Sequence, residues 1–288
     1  MEMKTMGRRE DVIGKWSEEK LGLLEKYLKA YARIMNSQKR KWLKAFHYID
    51  AFAGSGQARA KDEERYIEGS PLRALQCDPP FDCYWFIELS PWRVEKLKSL
   101  QSQFPNRKVI IRRGDCNKIL REEAIPQITW ESKQRALVFL DPYGLQVEWT
   151  TVVALAKEKT FDVFVNFPLM AVTRILKRGQ SPEPWVEDLL NKVVGNTDWL
   201  QQIYRPSEQL RLFGKPPITR PALKAKQLVQ IYAEQIFSLF GFVSNPVIMT
   251  NSKNAPLYTL FLASHNQTAV KVVNDIFSRY KRLREVGG

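Results

Sequence analysis

The chain has 288 residues, 44% of them hydrophobic, and no apolar run approaches the roughly 20 residues that a membrane span needs. Three cysteines without a CxxC pair and two histidines argue against disulfides, a metal site and His-based acid–base chemistry. A formal net charge of +14 predicts nucleic acid as a partner, with a merely solvated basic surface as the alternative.

The first predicted element is an N-terminal helical extension over residues 1–46. Its opening residues are polar and lack an apolar signal core, which predicts a cytoplasmic protein. From residue 16 onwards the apolar side chains recur at helical spacing, and Ser17 is the expected cap of this helix.

Strand-like and helix-like runs then alternate through residues 47–179, the predicted core domain. The strand-like runs read FHYIDAFAG, CYWFIEL, KVIIRRGD, RALVFLDPYG and FDVFVNFP. Helical patterns lie between them, in PLRALQC, SPWRVEKLKSLQSQF, CNKILREEAI and EWTTVVALAKE. This alternation predicts an α/β fold, with a mostly parallel sheet covered by helices on both faces.

The pattern weakens over residues 180–221 and becomes regular again afterwards. Residues 180–221 are rich in proline and polar side chains, which predicts an insertion with short helices. Residues 222–288 indicate a helix, the strands NPVIMTN and LYTLFLASH, and a closing helix. These two strands would complete a seven-stranded sheet.

A glycine turn follows the first predicted strand. The segment contains Asp50, Phe52, Ala53, Gly54, Ser55 and Gly56. Ligands of open α/β sheets bind beyond the carboxyl ends of the strands, which is where this turn would lie. Glycines there permit positive φ and a close approach of ligand to backbone, although a purely structural turn is the alternative.

Three further predicted strands also end in acids, which are Glu88, Asp115 and Asp141. A single such acid is usually a cap or a solvated carboxylate, but four along one rim predict a ligand site. A nicotinamide dinucleotide is disfavoured, because it prefers three glycines and no carboxylate beside its phosphates. The cationic, phosphate-free S-adenosylmethionine suits an acid-lined pocket better.

Each part of that cofactor has an expected partner. Glu88 would bind the ribose hydroxyls, as acids at this strand position do, and the next residue, Leu89, is also expected to contact the cofactor. Asp115 would accept from the adenine amine, with the Cys116 amide near the ring. Asp50 and the glycine turn would hold the methionine end, and S-adenosylhomocysteine would be the product.

The chain resembles a known family in the segments YIDAFAGSG, EGSPLRAL, FIELSP, GDCNKIL and VFLDPYGL. They occur in the order seen in the three-Cys-motif partner (TcmP) family, over about residues 15–175. The chain is more distantly similar to the 23S ribosomal RNA adenine-N6 methyltransferase family. The resemblance implies a class I methyltransferase (Rossmann-like) fold, S-adenosylmethionine, and a partner protein encoded nearby.

The DPYG motif contains the predicted catalytic residues. Asp141 and the Pro142 carbonyl would accept the two hydrogens of an amino group and direct its lone pair toward the sulfonium, while Tyr143 would stack on the acceptor base. Gly144 would permit a tight turn. The amino-methyltransferase pattern is Asp or Asn, Pro, Pro, aromatic, so the aromatic residue here stands one place early, and an ordinary turn is the alternative.

Four residues outside these motifs are also candidates. Ser70, before Pro71, is first of all a helix start and secondly a residue beside the ligand. For Lys20 the ribosomal RNA family implies contact with the methionine carboxylate, and a solvated helix lysine is the alternative. Asn166 and Pro168 end the fifth strand and are expected at the substrate mouth.

The expected function is S-adenosylmethionine-dependent methylation of an amino group on nucleic acid, with chemistry like that at adenine N6. A methyltransferase for a protein or a small molecule is the second interpretation, which the basic charge does not favour. The third is a non-catalytic nucleic-acid-binding protein with the same fold.

Overall fold

Two β-sheets organise the computed structural model, which describes residues 10–61, 63–176, 181–204, 221–251 and 253–286. The described strands are β1 (Val12–Ile13), β2 (Ala45–Asp50), β3 (Gln57–Ala60), β4 (Tyr66–Glu68), β5 (Cys83–Glu88), β6 (Val109–Arg113), β7 (Gln134–Leu140), β8 (Phe161–Phe167), β9 (Phe242–Val243), β10 (Val247–Thr250) and β11 (Pro256–Ser264).

The large sheet has the strand order β10-β11-β8-β7-β2-β5-β6, and β9 pairs with the end of β11. Strands β6, β5, β2, β7 and β8 are parallel, whereas β11 is antiparallel to both β8 and β10. This seven-strand path with one reversed strand confirms the predicted class I methyltransferase fold. The two-residue β9 is an addition that the sequence did not predict.

Helices cover both faces of the large sheet. They are α1 (Lys15–Lys39), α2 (Ser70–Leu75), α3 (Pro91–Ser102), α4 (Cys116–Ile119), α5 (Trp149–Lys157), α6 (Leu169–Ile175), α7 (Pro184–Val194), α8 (Asp198–Tyr204), α9 (Pro221–Phe240) and α10 (Gln267–Val286). Helices α1, α2, α3 and α10 pack on one face, and α4 to α9 pack on the other. No helix in the described part of the chain has the length and apolar character to cross a membrane.

The central strands are buried on both faces because helices cover each side. In β7, Leu137 and Phe139 pack against the layer of α1, whereas Val138 and Leu140 point to the layer of α5 and α9. This alternation follows from the two-residue period of a strand. It explains why the strands appear in the sequence as continuous apolar runs.

A hairpin lies between the glycine turn and α2. Strands β3 and β4 pair antiparallel, and β1 adds to β3 in parallel, which gives a three-stranded sheet. Its buried side includes Ala58, Ala60 and Ile67, while the alternate residues are charged or polar.

Two predicted helix caps are displaced. Helix α1 begins at Lys15 after Gly14, so Ser17 lies within its first turn and donates its backbone N–H to the Gly14 carbonyl. Helix α2 begins at Ser70 after Gly69. A Cβ on residue 69 would lie 2.9 Å from the Gly56 carbonyl oxygen, so the close approach of the two segments favours glycine at this cap.

Residues 181–204 form α7 and α8, and both helices contribute to the core. Trp199 of α8 is fully buried and donates from Nε1 to Asn191 Oδ1 at 2.8 Å. The rest of the predicted insertion, residues 205–220 and residue 180, lies outside the described residues. So do the basic residues Lys177, Arg178, Arg211, Lys215 and Arg220.

Candidate functional site

A cavity of about 190 Å³ opens at the carboxyl ends of β2 and β7. The strand order reverses at these two strands, which is the position where open α/β sheets bind ligands. Its wall combines the start of α1, the glycine turn, the N-terminus of α2 and the DPYG segment. The predicted site residues that line it are Lys20, Phe52, Ala53, Gly54, Ser55, Gly56, Ser70, Asp141, Pro142 and Tyr143.

Two glycines of the turn adopt left-handed backbone conformations. Gly54 has φ +65° and Gly56 has φ +83°, values that side chains disfavour. A Cβ on Gly56 would also lie 2.7 Å from Leu100 Cδ2 of α3, whereas one on Gly54 would meet nothing within 4 Å. The turn therefore exposes bare backbone toward the cavity at Gly54 and packs tightly at Gly56.

Glu88, at the end of β5, fixes the glycine turn. Its Oε2 accepts the backbone N–H of Gly54 at 2.9 Å, and its Oε1 accepts that of Ser90 at 2.8 Å. The side chain is buried, and Arg93 Nη1 lies 3.8 Å from Oε2. This carboxylate thus has a structural partner that the sequence did not predict, and its contact with a ribose stays a prediction.

Asp50 is fully buried and does not line the cavity. The Tyr48 hydroxyl donates to Oδ2 at 3.0 Å, and the Phe52 backbone N–H donates to Oδ1 at 3.3 Å. Burial raises the pKa of Asp50 from 3.8 to about 7, an effect that hydrogen bonds from Ser70 and Tyr48 partly oppose. Asp50 therefore supports the turn from behind instead of facing the ligand as the sequence suggested.

Lys20 and Asp141 form an ion pair at the cavity. Lys20 Nζ lies 2.7 Å from Asp141 Oδ1 and 2.6 Å from Oδ2, and Asn166 Nδ2 donates to Oδ1 at 2.6 Å. Lys20 is buried, so it is not the solvent-exposed helix lysine that the sequence left open as the alternative. The pair joins α1 to the end of β7 across 121 residues of sequence.

The negative charge of the rim is smaller than four carboxylates imply. Lys20 pairs with Asp141, Arg93 lies beside Glu88, and the pKa of Asp50 is raised to about 7 by burial. The structure therefore does not support the idea that a row of free carboxylates selects the positively charged sulfonium. Instead, the structure places ordered hydrogen-bonding groups and the Lys20 ammonium at the cavity.

The residues of the DPYG segment differ in how far they are exposed to solvent. Pro142 is buried, while the Tyr143 ring is 66% exposed and lies 5.2 Å from the Arg93 guanidinium carbon. Gly144 does not have a positive φ, and a Cβ there would meet nothing within 4 Å. The geometry of the turn does not require glycine at this position, in contrast to the expectation.

Asp115 caps the short helix α4. Its Oδ1 accepts the Lys118 backbone N–H at 3.0 Å, and the side chain is exposed. Next to it, Cys116 is buried, and burial raises the pKa of its thiol to about 12, so this cysteine stays protonated. Leu89 is exposed at the same rim. Neither Asp115, Cys116 nor Leu89 lines the 190 Å³ cavity.

Asn166 and Pro168 line a separate recess of about 10 Å³ behind the DPYG segment, together with Pro142 and Gly144. The Asn166 side chain is fully buried, and its Oδ1 accepts no hydrogen bond from the described residues. Since its amide donates to Asp141, this orphan oxygen is an acceptor adjacent to the ion pair.

Two residues of the site that sequence reasoning missed form one polar group. Asp11 accepts from the Ser55 hydroxyl at 2.7 Å and from Arg93 Nη2 at 2.6 Å, and Arg93 reaches Glu88. Asp11 precedes β1 and lies far from the turn in sequence, so no local pattern indicated it. The N-terminal segment forms part of the cavity wall as a result.

Two missed aromatic residues form the opposite side. Trp16 of α1 stacks on Tyr258 of β11, with ring centroids 5.2 Å apart and an interplanar angle of 28°. Lys20 Nζ lies 5.4 Å from the Tyr258 ring centroid. The ammonium is thus held between a carboxylate and an aromatic face, where its position is well defined.

Across the described ranges, no group of three or more His, Cys, Asp or Glu side chains is arranged to hold a metal ion.

Comparisons with known proteins find distant relatives of the fold. No family model and no curated protein matches the chain. Protein LPL1258 from Legionella pneumophila, of the family description DUF519, aligns with a TM-score of 0.49 and 14% identity over 90% of this chain and 92% of its own.

Two methyltransferases align less well. The putative methyltransferase yhhF from Escherichia coli gives a TM-score of 0.32 and 16% identity, over 48% of this chain and 67% of its own. PKMT2 from Rickettsia typhi, solved with AdoHcy, gives a TM-score of 0.34 and 11% identity, over 89% of this chain and 54% of its own. Since these three TM-scores are below 0.5, the fold assignment depends on the strand order, and membership of the TcmP family stays a prediction.

Proposed function

We propose that the protein is an S-adenosylmethionine-dependent methyltransferase that acts on an amino group of a nucleic acid. The observation that carries this proposal is one cavity at the sheet's switch point that joins a left-handed glycine turn, the Lys20–Asp141 pair and the DPYG segment. The net charge of +14 supports a polyanionic acceptor.

The residues at and beside the cavity fit the donor in three places. S-adenosylmethionine supplies, when bound, a methyl group made electrophilic by a sulfonium. The glycine turn leaves backbone uncovered for the ligand at Gly54, whereas Gly56 packs against Leu100. Lys20 offers an ammonium to a carboxylate. Glu88 does not line the cavity itself, but it holds Gly54 at the cavity wall and retains lone pairs for ribose hydroxyls.

Asp141 is the residue that we propose to bind the acceptor's amino group. Its Oδ1 already accepts from Lys20 and Asn166, whereas Oδ2 accepts from Lys20 alone, so Oδ2 has the greater remaining capacity. A hydrogen bond to Oδ2 keeps the nitrogen lone pair directed at the methyl group, and Oδ2 holds the proton that the nitrogen releases. Positioning and electrostatics suffice for such a transfer.

Tyr143 supplies a surface for a flat acceptor beside this group. Its ring is largely exposed, and Arg93 approaches it from the side of the glycine turn. An unpaired base stacks on such a ring without a cost for opening a duplex, so single strands or loops are the favoured acceptors.

Donor binding is tested by calorimetry with S-adenosylhomocysteine. We expect the wild type to bind and Glu88→Ala to bind at least ten-fold more weakly, because the substitution removes both the ribose contact and the tether of Gly54. Glu122→Ala, at an exposed acid outside the cavity, serves as the matched control. Absence of any binding by the wild type would instead favour a non-catalytic protein of the same fold.

Transfer is tested with a labelled methyl donor and separate RNA, DNA and protein acceptors. Label in nucleic acid that disappears in Asp141→Ala supports the proposal. Label only in protein would refute the acceptor class while leaving the donor assignment intact.

A further inference from the structure

An exposed aromatic platform lies at the opposite edge of the sheet from the cavity. Its members are Trp42, Trp130 and Arg135, and we call them the tryptophan platform. The two indole rings stack with centroids 6.3 Å apart, and the Arg135 guanidinium carbon lies 3.9 Å from the Trp130 ring and 4.7 Å from the Trp42 ring. Trp130 is 57% exposed and Trp42 is 39% exposed.

Local contacts hold the platform in place. Trp42 Nε1 donates to Gln38 Oε1 at 3.1 Å, which fixes one ring against the end of α1. The Trp130 carbonyl accepts the Lys133 N–H at 3.0 Å in the turn before β7, and the Lys133 carbonyl accepts the Lys44 N–H at 2.9 Å. Two large apolar rings are therefore ordered at the surface, although burial would satisfy them better.

Unpaired cations surround the platform. They are Arg40, Lys41, Lys44 and Lys133, all of them exposed. No carboxylate in the described part of the chain lies within ion-pair distance of their charged groups, whereas the neighbouring Lys39 pairs with Asp82 at 2.6 Å. The same turn contains one exposed acid, Glu131. The patch is thus strongly positive around its aromatic centre.

The platform is separate from the proposed catalytic site. Lys44 and Lys133 precede the first residues of β2 and β7, whereas Asp50 and Asp141 stand at their other ends. Six to seven residues of strand place the two sites about 20 Å apart. The proposed methyl transfer uses none of the platform residues.

We infer that the tryptophan platform is a binding site for single-stranded nucleic acid. Bases stack on the outer face of Trp130, and the phosphates pair with the surrounding lysines and arginine. Flat exposed rings within a basic patch are the combination that holds single strands without reading their sequence. An acidic protein would use the cations but would gain little from stacked indoles, and duplex DNA keeps its base faces covered.

The experiment measures binding of a labelled single-stranded oligonucleotide by fluorescence anisotropy, with no methyl donor present. Trp130→Ala is expected to weaken binding about ten-fold, the size of one lost base stack. Trp185→Ala is the matched control, since Trp185 is 54% exposed on a different helix, and it should change binding by less than two-fold.

The salt dependence provides a second readout. For Lys41→Gln combined with Lys44→Gln, the slope of log K against log salt should fall by about 1.4, because two phosphate contacts are lost. Lys26→Gln with Lys271→Gln, at exposed lysines of α1 and α10, should leave the slope unchanged. These variants are at the surface, and thermal melting verifies that they remain folded.

Two results would overturn the inference: equal binding by wild type and Trp130→Ala, or displacement of the oligonucleotide by polyglutamate as effectively as by unlabelled strand. The measurement is independent of the proposed methyl transfer. A protein that binds strands at the platform but transfers no methyl group refutes only the proposed function.

Discussion

Replacing Asp141 by Asn is expected to tighten the binding of S-adenosylhomocysteine. In the structure the Lys20 ammonium is bound to both oxygens of the Asp141 carboxylate. If Lys20 also receives the carboxylate of the ligand, Asp141 competes for the same ammonium and repels the incoming anion. The neutral amide of Asn removes that charge and keeps the shape of the side chain.

The size of the effect follows from the geometry of the pair. Lys20 Nζ lies 2.6 Å from Asp141 Oδ2. A second carboxylate on the same nitrogen would stand about 6 Å from the first at ordinary hydrogen-bond distances. Two such charges repel by about 3 kcal/mol at an effective dielectric constant of 20. The Asp141 side chain is 19% exposed, and solvent screening reduces this to about 1.4 kcal/mol, a ten-fold change in affinity.

Calorimetry on two ligands separates this effect from a general change in the cavity. S-adenosylhomocysteine has the amino acid carboxylate but no positively charged sulfonium. Removing the negative charge of Asp141 therefore costs no electrostatic attraction between Asp141 and the sulfur of this ligand. Methylthioadenosine lacks the amino acid end and should bind wild type and Asp141→Asn equally. Lys20→Met should lower the affinity for S-adenosylhomocysteine, which has the carboxylate, and leave the affinity for methylthioadenosine unchanged.

The reasoning is refuted if Asp141→Asn binds S-adenosylhomocysteine no more tightly than the wild type while its melting temperature stays the same. That result would mean that Lys20 serves the fold alone. If Lys20→Met binds S-adenosylhomocysteine with the affinity of the wild type, the same conclusion follows from the lysine side of the pair.

Three further predictions concern stability. Burial raises the pKa of Asp50 from 3.8 to about 7, so the folded protein retains a proton that the unfolded chain releases, and stability falls as pH rises between these values. Asp50→Asn should therefore raise the melting temperature relative to wild type more at pH 8 than at pH 5, and an equal difference at both would contradict this. Gly54→Ala should cost about 1 kcal/mol of left-handed strain and Gly56→Ala more, since only the latter meets Leu100; equal urea midpoints would argue against that contact. Trp199→Ala should cost about 3–5 kcal/mol in urea unfolding, because the ring is fully buried, and a loss below 1 kcal/mol would mean that α8 is not part of the cooperative unit.

The strands of the large sheet were predictable because burial on both faces produces a distinct signal. Each run from CYWFIEL to FDVFVNFP became a strand, and the predicted acids Glu88, Asp115 and Asp141 fell at or just after the carboxyl ends of β5, β6 and β7. The β3–β4 hairpin gave no such signal, since only one side of it is buried and the other displays Gln57, Arg59 and Tyr66. A half-exposed hairpin with charged tips resembles a polar loop in sequence.

The candidate site was predictable in position but not in its internal pairing. Local motifs located the glycine turn and Asp141. The partners that define their chemistry come from distant segments, as in Lys20 with Asp141 and Asp11 with Arg93. The surroundings of each acid could not be read locally either: Asp50 and Glu88 look alike as acids at strand ends. Yet Asp50 lies behind the turn with a pKa raised to about 7 by desolvation, whereas Glu88 accepts the backbone N–H groups of Gly54 and Ser90.

The stack of Trp16 on Tyr258 has a consequence for synthesis on the ribosome. One side of the cavity includes Trp16, while Tyr258 is translated after every other residue of the cavity wall. The hairpin wall pairs early because its partners are close in sequence. The aromatic side is completed only when β11 has emerged, so a truncated nascent chain lacks it. Ligand would thus selectively stabilise molecules in which β11 has paired, by mass action on the native state.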